Sequence, residues 1–451
     1  MTNSLIIHTL ESIPNLLAIH ASNPERYPHL LSSNASSEDK SKLARYDILF
    51  ACPQQTIQSH NGDFLQQLDQ AWQAGQIEPD DKIDLPFKGG WFLYLGYELA
   101  QEIETGLNLP AAEDGLPVAF ATRFPAAIII DSHTQQAYIV CEPEYKSCAE
   151  QIKNDLLNKA SVEKKFNSFQ IEKMIEDDEL HYLSQLDQLH QYIVDGDVFQ
   201  VNLSRCWKTQ LNTSASSKVS HASIYQQLIK SNPGPFNALV TLGDKAIISS
   251  SPERLVQLKN GYLQTRPIAG TRPRALDNVE DRCLSSELLA HPKERAEHIM
   301  LIDLERNDMG RVCVPGSIEV NEFMVLETYQ HVHHIVSNVR GKLRDDITPG
   351  QLISAVFPGG TITGCPKVRC MEILAELEQV GRGAYTGSLG YLNNDGSMDL
   401  NILIRTITRN GNKLQFRAGG GIVVDSDSNN ELNETRAKAK GLIHALEEGN
   451  Q

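Results

Sequence analysis

Apolar residues recur at helical spacing in several stretches and at strand spacing in others, and the two patterns alternate along the chain. Phe64–Ala74 and Ala149–Leu157 carry the helical repeat, whereas Ala126–Ile130 is a short β-rich run. Gly89-Gly90-Trp91-Phe92-Leu93-Tyr94-Leu95-Gly96-Tyr97 is a near-continuous apolar segment entered and left through glycine, which predicts a buried strand. An amphipathic helix opens at Leu180 and ends near Asp195-Gly196-Asp197, with a strand predicted over Val198–Leu203. A helix over Ile224–Lys230 stops at Asn232-Pro233-Gly234-Pro235. Phe236–Thr241 and Ala246–Ser250 then read as an antiparallel pair turning at Gly243-Asp244. A helix is expected from about Lys293 to Asp308. Late strands are expected at Gly387–Leu392, Asp399–Thr408 and Lys413–Arg417, before a closing helix. The pattern describes an α/β chain of the α+β type with mostly antiparallel pairing.

Composition narrows the class. The 451 residues are 41% hydrophobic and 22% charged, ordinary for a globular protein with a large core. A net charge of -16 with no large basic patch argues against a nucleic-acid partner and against an anionic membrane surface. No apolar run is long enough to span a bilayer, and the start, Met1-Thr2-Asn3-Ser4, lacks a basic leader. The eight cysteines are scattered without a C-x-x-C pair, which suits reduced thiols in the cytoplasm. Ser147–Glu179 is polar and charge-rich, so the boundary falls there: an N-terminal subdomain over 1–175 and a C-terminal domain over 176–451. Ser32–Ser37 and Ser426–Asn430 are Ser/Asn clusters that read as loops.

Several constellations have chemical potential. Pro358-Gly359-Gly360-Thr361-Ile362-Thr363-Gly364-Cys365-Pro366-Lys367 offers many polar groups on a bendable backbone that can wrap a small anion, with Lys367 as counter-charge. It is not a Walker A loop, because Cys365-Pro366 follows Gly364. Glu297 and Glu434 fall in predicted helices, and Glu434 and Lys438 lie four apart on one face, where a solvated ion pair is the simplest reading. Arg405 interrupts an apolar strand and must reach solvent or find a carboxylate. His331 and His333 share a face at strand spacing but lack cysteine or carboxylate companions for a metal. Glu253 is either an acid-base residue or the cap of a turn, and Thr361 either a ligand group or a loop hydroxyl. Gly419-Gly420-Gly421 does not fit a dinucleotide loop, since no helix follows directly.

Taken in order, Ser251-Pro252-Glu253, Arg266-Pro267-Ile268-Ala269-Gly270-Thr271-Arg272-Pro273-Arg274, His291-Pro292-Lys293-Glu294-Arg295-Ala296-Glu297-His298, the Pro358–Lys367 run, Tyr385–Tyr391, Met398–Thr406 and Ala418–Val423 form a series that resembles the chorismate-utilising enzymes. This family includes the large subunits of anthranilate synthase and aminodeoxychorismate synthase, isochorismate synthases and salicylate synthases. The resemblance runs from about Leu180 to the C-terminus. It implies two large antiparallel sheets packed face to face and flanked by helices. It also implies Mg²⁺ bound by Glu297 and Glu434 with a substrate carboxylate, and Lys438 facing the substrate. Arg405 and Tyr385 would take the enolpyruvyl carboxylate, assisted by the N–H groups of Gly420 and Gly421. Gly270 and Thr271 would also contact substrate. Glu253, His334 and Thr361 would serve the chemistry, with His334 near the departing C4 hydroxyl.

Within the family, Gln200 stands where isochorismate and salicylate synthases carry a water-activating lysine, which leaves the two ammonia users. Ala269 matches anthranilate synthases, because aminodeoxychorismate synthases typically have lysine there. Gln200-Val201-Asn202-Leu203, Gly360–Lys367 and Met398–Arg405 resemble the aminodeoxychorismate branch instead. Asn232-Pro233-Gly234-Pro235-Phe236 and Leu30-Leu31-Ser32-Ser33 depart from the inhibitor pocket of tryptophan-regulated anthranilate synthases. The resemblance thus points to amination of chorismate for 4-aminobenzoate and folate biosynthesis, with anthranilate formation as the alternative and a non-catalytic sensor as a distant third. No Gly-x-Cys-x-Gly elbow surrounds any cysteine, so ammonia is expected from a separate glutamine amidotransferase subunit.

Overall fold

A computed structural model describes residues 5–33, 45–59, 62–79, 83–159, 166–212, 219–275, 277–328 and 332–449. His331 lies outside the described residues, as do Asn34–Ser37 of the first Ser/Asn cluster. Two sheets dominate, of twelve and ten strands, and every pairing within them is antiparallel. Strand Gly90–Leu95 is buried along its whole length because it is covered on both faces. Phe92 and Tyr94 join Phe50, Ile129, Ala238 and Ile247 in the layer between the sheets, while Trp91, Leu93 and Leu95 pack outward with helix Phe64–Ala74. Alternate side chains point to opposite faces, so a strand buried twice must be apolar throughout. The twelve-stranded sheet is covered in the same way: Leu49 and Ala51 face outward toward helices, and Ile48 and Phe50 face inward.

The two expected regions share both sheets. Leu30 pairs with Leu239 in the larger sheet, and Gly90 pairs with Asn393 in the smaller. The 175/176 boundary itself falls in the two-residue strand Ile175–Glu176, which pairs with Gln200–Gln210.

Three expectations need correction. The single strand expected over Asp399–Thr408 is two strands in different sheets: Met398–Ile402 belongs to the ten-stranded sheet and Thr406–Asn410 to the twelve-stranded one. The chain crosses between sheets at Leu403-Ile404-Arg405, where Arg405 takes a left-handed φ of 52°. Two short strands and one long strand share the same period-two pattern, so alternation cannot reveal the break. Next, the run Pro358–Lys367 is not an open anion loop. It forms a short 3-10 turn over Gly360–Ile362, pairs Gly364-Cys365 with Gln200-Val201, and begins a helix at Lys367, whose Nζ is committed to Asp308 at 2.6 Å. Finally, the Ser/Asn cluster near residue 428 begins the closing helix Ser428–Glu448, where Asp427 caps the N-terminus by accepting from the Asn430 N–H.

Gly419-Gly420-Gly421 lies within the strand Lys413–Ile422. Close pairing explains Gly419, whose Cβ would run into the Leu203 carbonyl oxygen across the ladder, whereas a Cβ on Gly421 would meet only the end of the Gln200 side chain. Among the described residues no helix is long and apolar enough to cross a membrane.

Candidate active site

Glu253 leaves the end of strand Lys245–Ser251, and its carboxyl group is almost fully enclosed, with 8% of the residue exposed. Thr361, in the 3-10 turn, donates from Oγ1 to Glu253 Oε1 at 2.9 Å. Burial pushes the Glu253 carboxyl up to about 7, opposed by that hydrogen bond and by the charges of Lys438 and Arg405. The carboxyl therefore changes protonation state near neutral pH.

Arg405, at the crossing between the sheets, acts on this carboxylate through its charge rather than through a direct contact. Burial lowers its pKa, and Glu253 is the counter-charge acting against that shift. Among the described residues no side chain pairs with the guanidinium at contact distance, so its fork of donors is not committed to a protein carboxylate. His334 stands on strand Val332–Lys342, in register with Thr271 across the ladder to Ile268–Pro273. Its Nδ1 lies 3.3 Å from the Gly270 carbonyl oxygen, which places the proton on Nδ1. Burial lowers the His334 pKa to about 4; the Gly270 carbonyl opposes the shift and Arg405 adds to it, so the ring is neutral at physiological pH. Tyr385 is buried too, and burial raises its pKa to about 12. Its hydroxyl approaches Asn202 Oδ1 at 3.5 Å and would lie 2.8 Å from a Cβ on Gly419.

Two helices bring carboxylates to the other side of the same glycines. From Ser428–Glu448, Glu431 Oε2 and Glu434 Oε1 stand 3.1 Å and 3.5 Å from the position a Gly420 Cβ would take. Lys438 Nζ bridges Glu434 Oε1 at 2.7 Å and the Gly419 carbonyl at 3.0 Å. From Pro292–Gly310, Glu297 meets Lys293 at 3.8 Å. Burial raises the Glu297 pKa against the pull of Lys293, and Glu294, Glu431 and Glu434 push it further up. Glu294 reaches Gly270: a Cβ there would lie 2.8 Å from Glu294 Oε2, at a residue with φ of 66° where the ladder slips register. Carboxylates gathered this closely suit a hard divalent cation, with two of them as ligands and waters or a substrate completing the shell. No group of three or more His, Cys, Asp or Glu side chains among the described residues is gathered as a ready metal cage.

The structure thus gathers Glu253, Thr361, Arg405, His334, Tyr385, Gly420, Gly421, Lys438, Glu297, Glu434 and Gly270 around one region; Thr271 joins them through its backbone register. His333 is drawn elsewhere, with Nε2 2.9 Å from Asp281 and Nδ1 2.9 Å from Thr328 Oγ1. Sequence reading overlooked Glu294 and Glu431, though the signal was present as two Glu-x-x-Glu pairs, Glu294/Glu297 and Glu431/Glu434, each at a helical i, i+3 spacing. It also overlooked Glu305, a buried acid behind Glu253 pushed up to about 8 by burial and Asp308 and pulled down by Lys367 and Thr265. A cavity of about 1480 Å³ is a different place: Leu31, Ser32, Pro235, Asn237 and Tyr391 border it, and Glu253, His334 and Arg405 do not. Convergence of titratable groups, not volume, marks the candidate active site.

A two-sheet sandwich that gathers an arginine, a near-neutral carboxyl and a rim of paired glutamates in one region has the convergence of titratable groups common to enzyme sites. The chain belongs to the chorismate binding enzyme family, whose model matches residues 30–444. It is 42% identical over 366 residues to an anthranilate synthase component I-like protein of Synechocystis, covering 80% of this chain and 74% of that one. It is 50% identical over 262 residues to aminodeoxychorismate synthase component 1 of Bacillus subtilis, covering 58% of this chain and 54% of the relative. The crystal structure of anthranilate synthase component I from Streptococcus pneumoniae superposes with a TM-score of 0.78 at 30% identity, over 89% of this chain and 93% of that one.

Proposed function

We propose that this chain is the chorismate-aminating component of an aminodeoxychorismate synthase. Chorismate and ammonia give 4-amino-4-deoxychorismate and water. The observation that carries the reading is the juxtaposition of Glu253, poised to gain or lose a proton near pH 7, with the half-buried Arg405 and the neutral ring of His334. Arg405, Tyr385 and the N–H groups of Gly420 and Gly421 take the enolpyruvyl carboxylate. Glu297 and Glu434 would hold Mg²⁺, which supplies charge for a substrate carboxylate. Gly270, Thr271 and Lys438 line the substrate, and His334 hydrogen-bonds near the C4 hydroxyl. Thr361 steadies Glu253, which passes a proton as that hydroxyl departs as water. An external nucleophile, water or ammonia, adds at C2 as the C4 hydroxyl leaves as water, and ammonia then enters at C4 as that nucleophile is expelled from C2, because residue 269 is a buried alanine with no amine to form an adduct.

Motif texture favours this branch, through Gln200, Thr361 and Asn401; Ala269 favours the anthranilate reading. The chain incubated with chorismate, Mg²⁺ and ammonium separates them. Aminodeoxychorismate, converted by an added lyase to 4-aminobenzoate, is the expected product, and stoichiometric anthranilate with pyruvate overturns the assignment. The ammonia source in this reading is a separate glutamine amidotransferase subunit, so the isolated chain uses ammonium and not glutamine. Glutamine-dependent turnover without a second protein refutes that part. Loss of turnover in Glu297→Gln with unchanged melting is the expected sign of the Mg²⁺ role, and full activity in EDTA contradicts it.

A further inference from the structure

Behind the candidate site lies a buried ionic network with no part in the proposed chemistry. Glu378, in helix Lys367–Glu378, accepts from Arg382 through Nε at 3.0 Å and Nη2 at 2.8 Å, and from Arg417 at 3.0 Å. It accepts further from the Ser204 N–H at 3.0 Å and the Ser204 hydroxyl at 2.8 Å. All three charged side chains are buried: Glu378 is 8% exposed, Arg382 5% and Arg417 7%. Such a network is weak evidence of stabilisation, because apolar side chains of the same volume commonly serve a core as well. Its geometry suggests what else it does.

The Arg382 fork does not stop at Glu378. Nη2 donates to the Asn202 carbonyl at 2.5 Å, and Nη1 to the Ile362 carbonyl and the Thr386 hydroxyl, each at 3.4 Å. Its guanidinium carbon sits 5.6 Å from the centroid of the Tyr385 ring. Each acceptor is beside a group of the candidate site. Asn202 pairs with Gly421 and approaches the Tyr385 hydroxyl; Ile362 follows Thr361; Thr386 follows Tyr385 and holds a left-handed φ of 61°. One planar cation thus ties together the chain at Asn202, Ile362 and Thr386, each beside a residue of the candidate site.

We propose that Arg382, oriented by Glu378, is a positioning residue that sets the spacing of Tyr385, Thr361 and Gly421 around the bound carboxylate. The inference rests on the site assignment above, but not on which product the enzyme makes, since both readings bind chorismate in that site. Arg382 touches no reacting atom. A lysine keeps the charge and loses the fork, so it cannot satisfy three acceptors and Glu378 together.

The test compares Arg382→Lys and Arg382→Met with the unmodified chain in thermal melting, chorismate affinity by calorimetry, and ammonium-dependent kinetics. Expected are variants that remain folded, bind chorismate at least about tenfold more weakly and lose about a hundredfold in kcat/KM, with the KM for ammonium unchanged. If Arg382→Met fails to fold, Arg382→Lys decides. Wild-type chorismate affinity and kcat/KM in a folded Arg382→Lys overturn the proposal. Failure of the unmodified chain to bind chorismate sinks the site assignment instead, and anthranilate as product sinks only the branch.

Discussion

Glu253 and Glu378 are both buried carboxylates in one molecule, and their protonation preferences are opposite. Burial pushes each pKa up. At Glu378 the charges of Arg382 and Arg417 and the hydrogen bonds from Arg382 and Ser204 more than offset it, and the carboxyl stays below its ordinary range. At Glu253 only the Thr361 hydrogen bond and the charges of Lys438 and Arg405 oppose burial, which leaves a value of about 7. Depth therefore decides little by itself. Contact geometry decides: two guanidinia at bonding distance make a fixed anion, whereas one hydroxyl and more distant cations leave a group that can trade protons.

The harshest way to break this comparison is Glu378→Ala. It leaves Arg382 and Arg417 buried without their carboxylate, and a loss of about 3–5 kcal/mol is expected in urea unfolding. A loss under about 1 kcal/mol contradicts the account of Glu378 as a fixed structural anion.

Glu253→Gln reverses the outcome. Turnover falls by about 10²–10⁴, yet the variant is the more stable protein above neutrality. The folded Glu253 pKa lies above the ordinary value of 4.5. The native state therefore holds the proton more tightly than the unfolded chain, and the resulting stabilisation is present below pH 4.5 and lost as pH rises through about 7. Glutamine never ionises, so Glu253→Gln gains on the wild type across that interval by an amount on the order of 3 kcal/mol. Equal pH dependence of melting in the two proteins would show that Glu253 is not raised.

Glu305→Gln extends the same test. The sign is the same for a group raised to about 8: its stability gain over wild type begins at the same pH 4.5 and keeps growing to about pH 8, past the point near pH 7 where that of Glu253→Gln levels off. Melting curves at pH 6 and pH 8.5 separate the two.

The smallest change is at Lys438. Its pair with Glu434 is half exposed, so Lys438→Met shifts unfolding by no more than about 1 kcal/mol. Lys438 also lowers the Glu253 pKa. Its loss should move the Glu253-dependent limb of the kcat profile to higher pH, and an unmoved limb rules out electrostatic coupling between them.

Local pattern revealed much of this fold where neighbours in sequence are neighbours in space. Helix Phe64–Ala74 has its expected ends, and the hairpin of Phe236–Leu242 and Lys245–Ser251 turns at Gly243, with φ of 65°. Long-range events were not written in the periodicity. Lys367 and Asp308 meet across the fold with no shared spacing, and the sheet-to-sheet crossing hides within uninterrupted alternation. The site residues were legible mainly through ordered motifs. Taken one at a time, Glu434 and Lys438 look like a surface ion pair, and that pair exists; what spacing alone could not supply is that Gly420, Glu431 and Glu297 converge beside it.

The interleaving of the two sheets bears on how the protein is made. Strand Gly90–Leu95 emerges from the ribosome early, yet its partner Ser388–Asn393 is synthesised roughly three hundred residues later. Until then its outward face can gather helix Phe64–Ala74 and its neighbour strand Ala119–Phe124, but one edge stays open. The nascent N-terminal portion thus carries a long apolar strand with an unsatisfied backbone edge through most of translation, a template for mispairing on which chaperones would be expected to act.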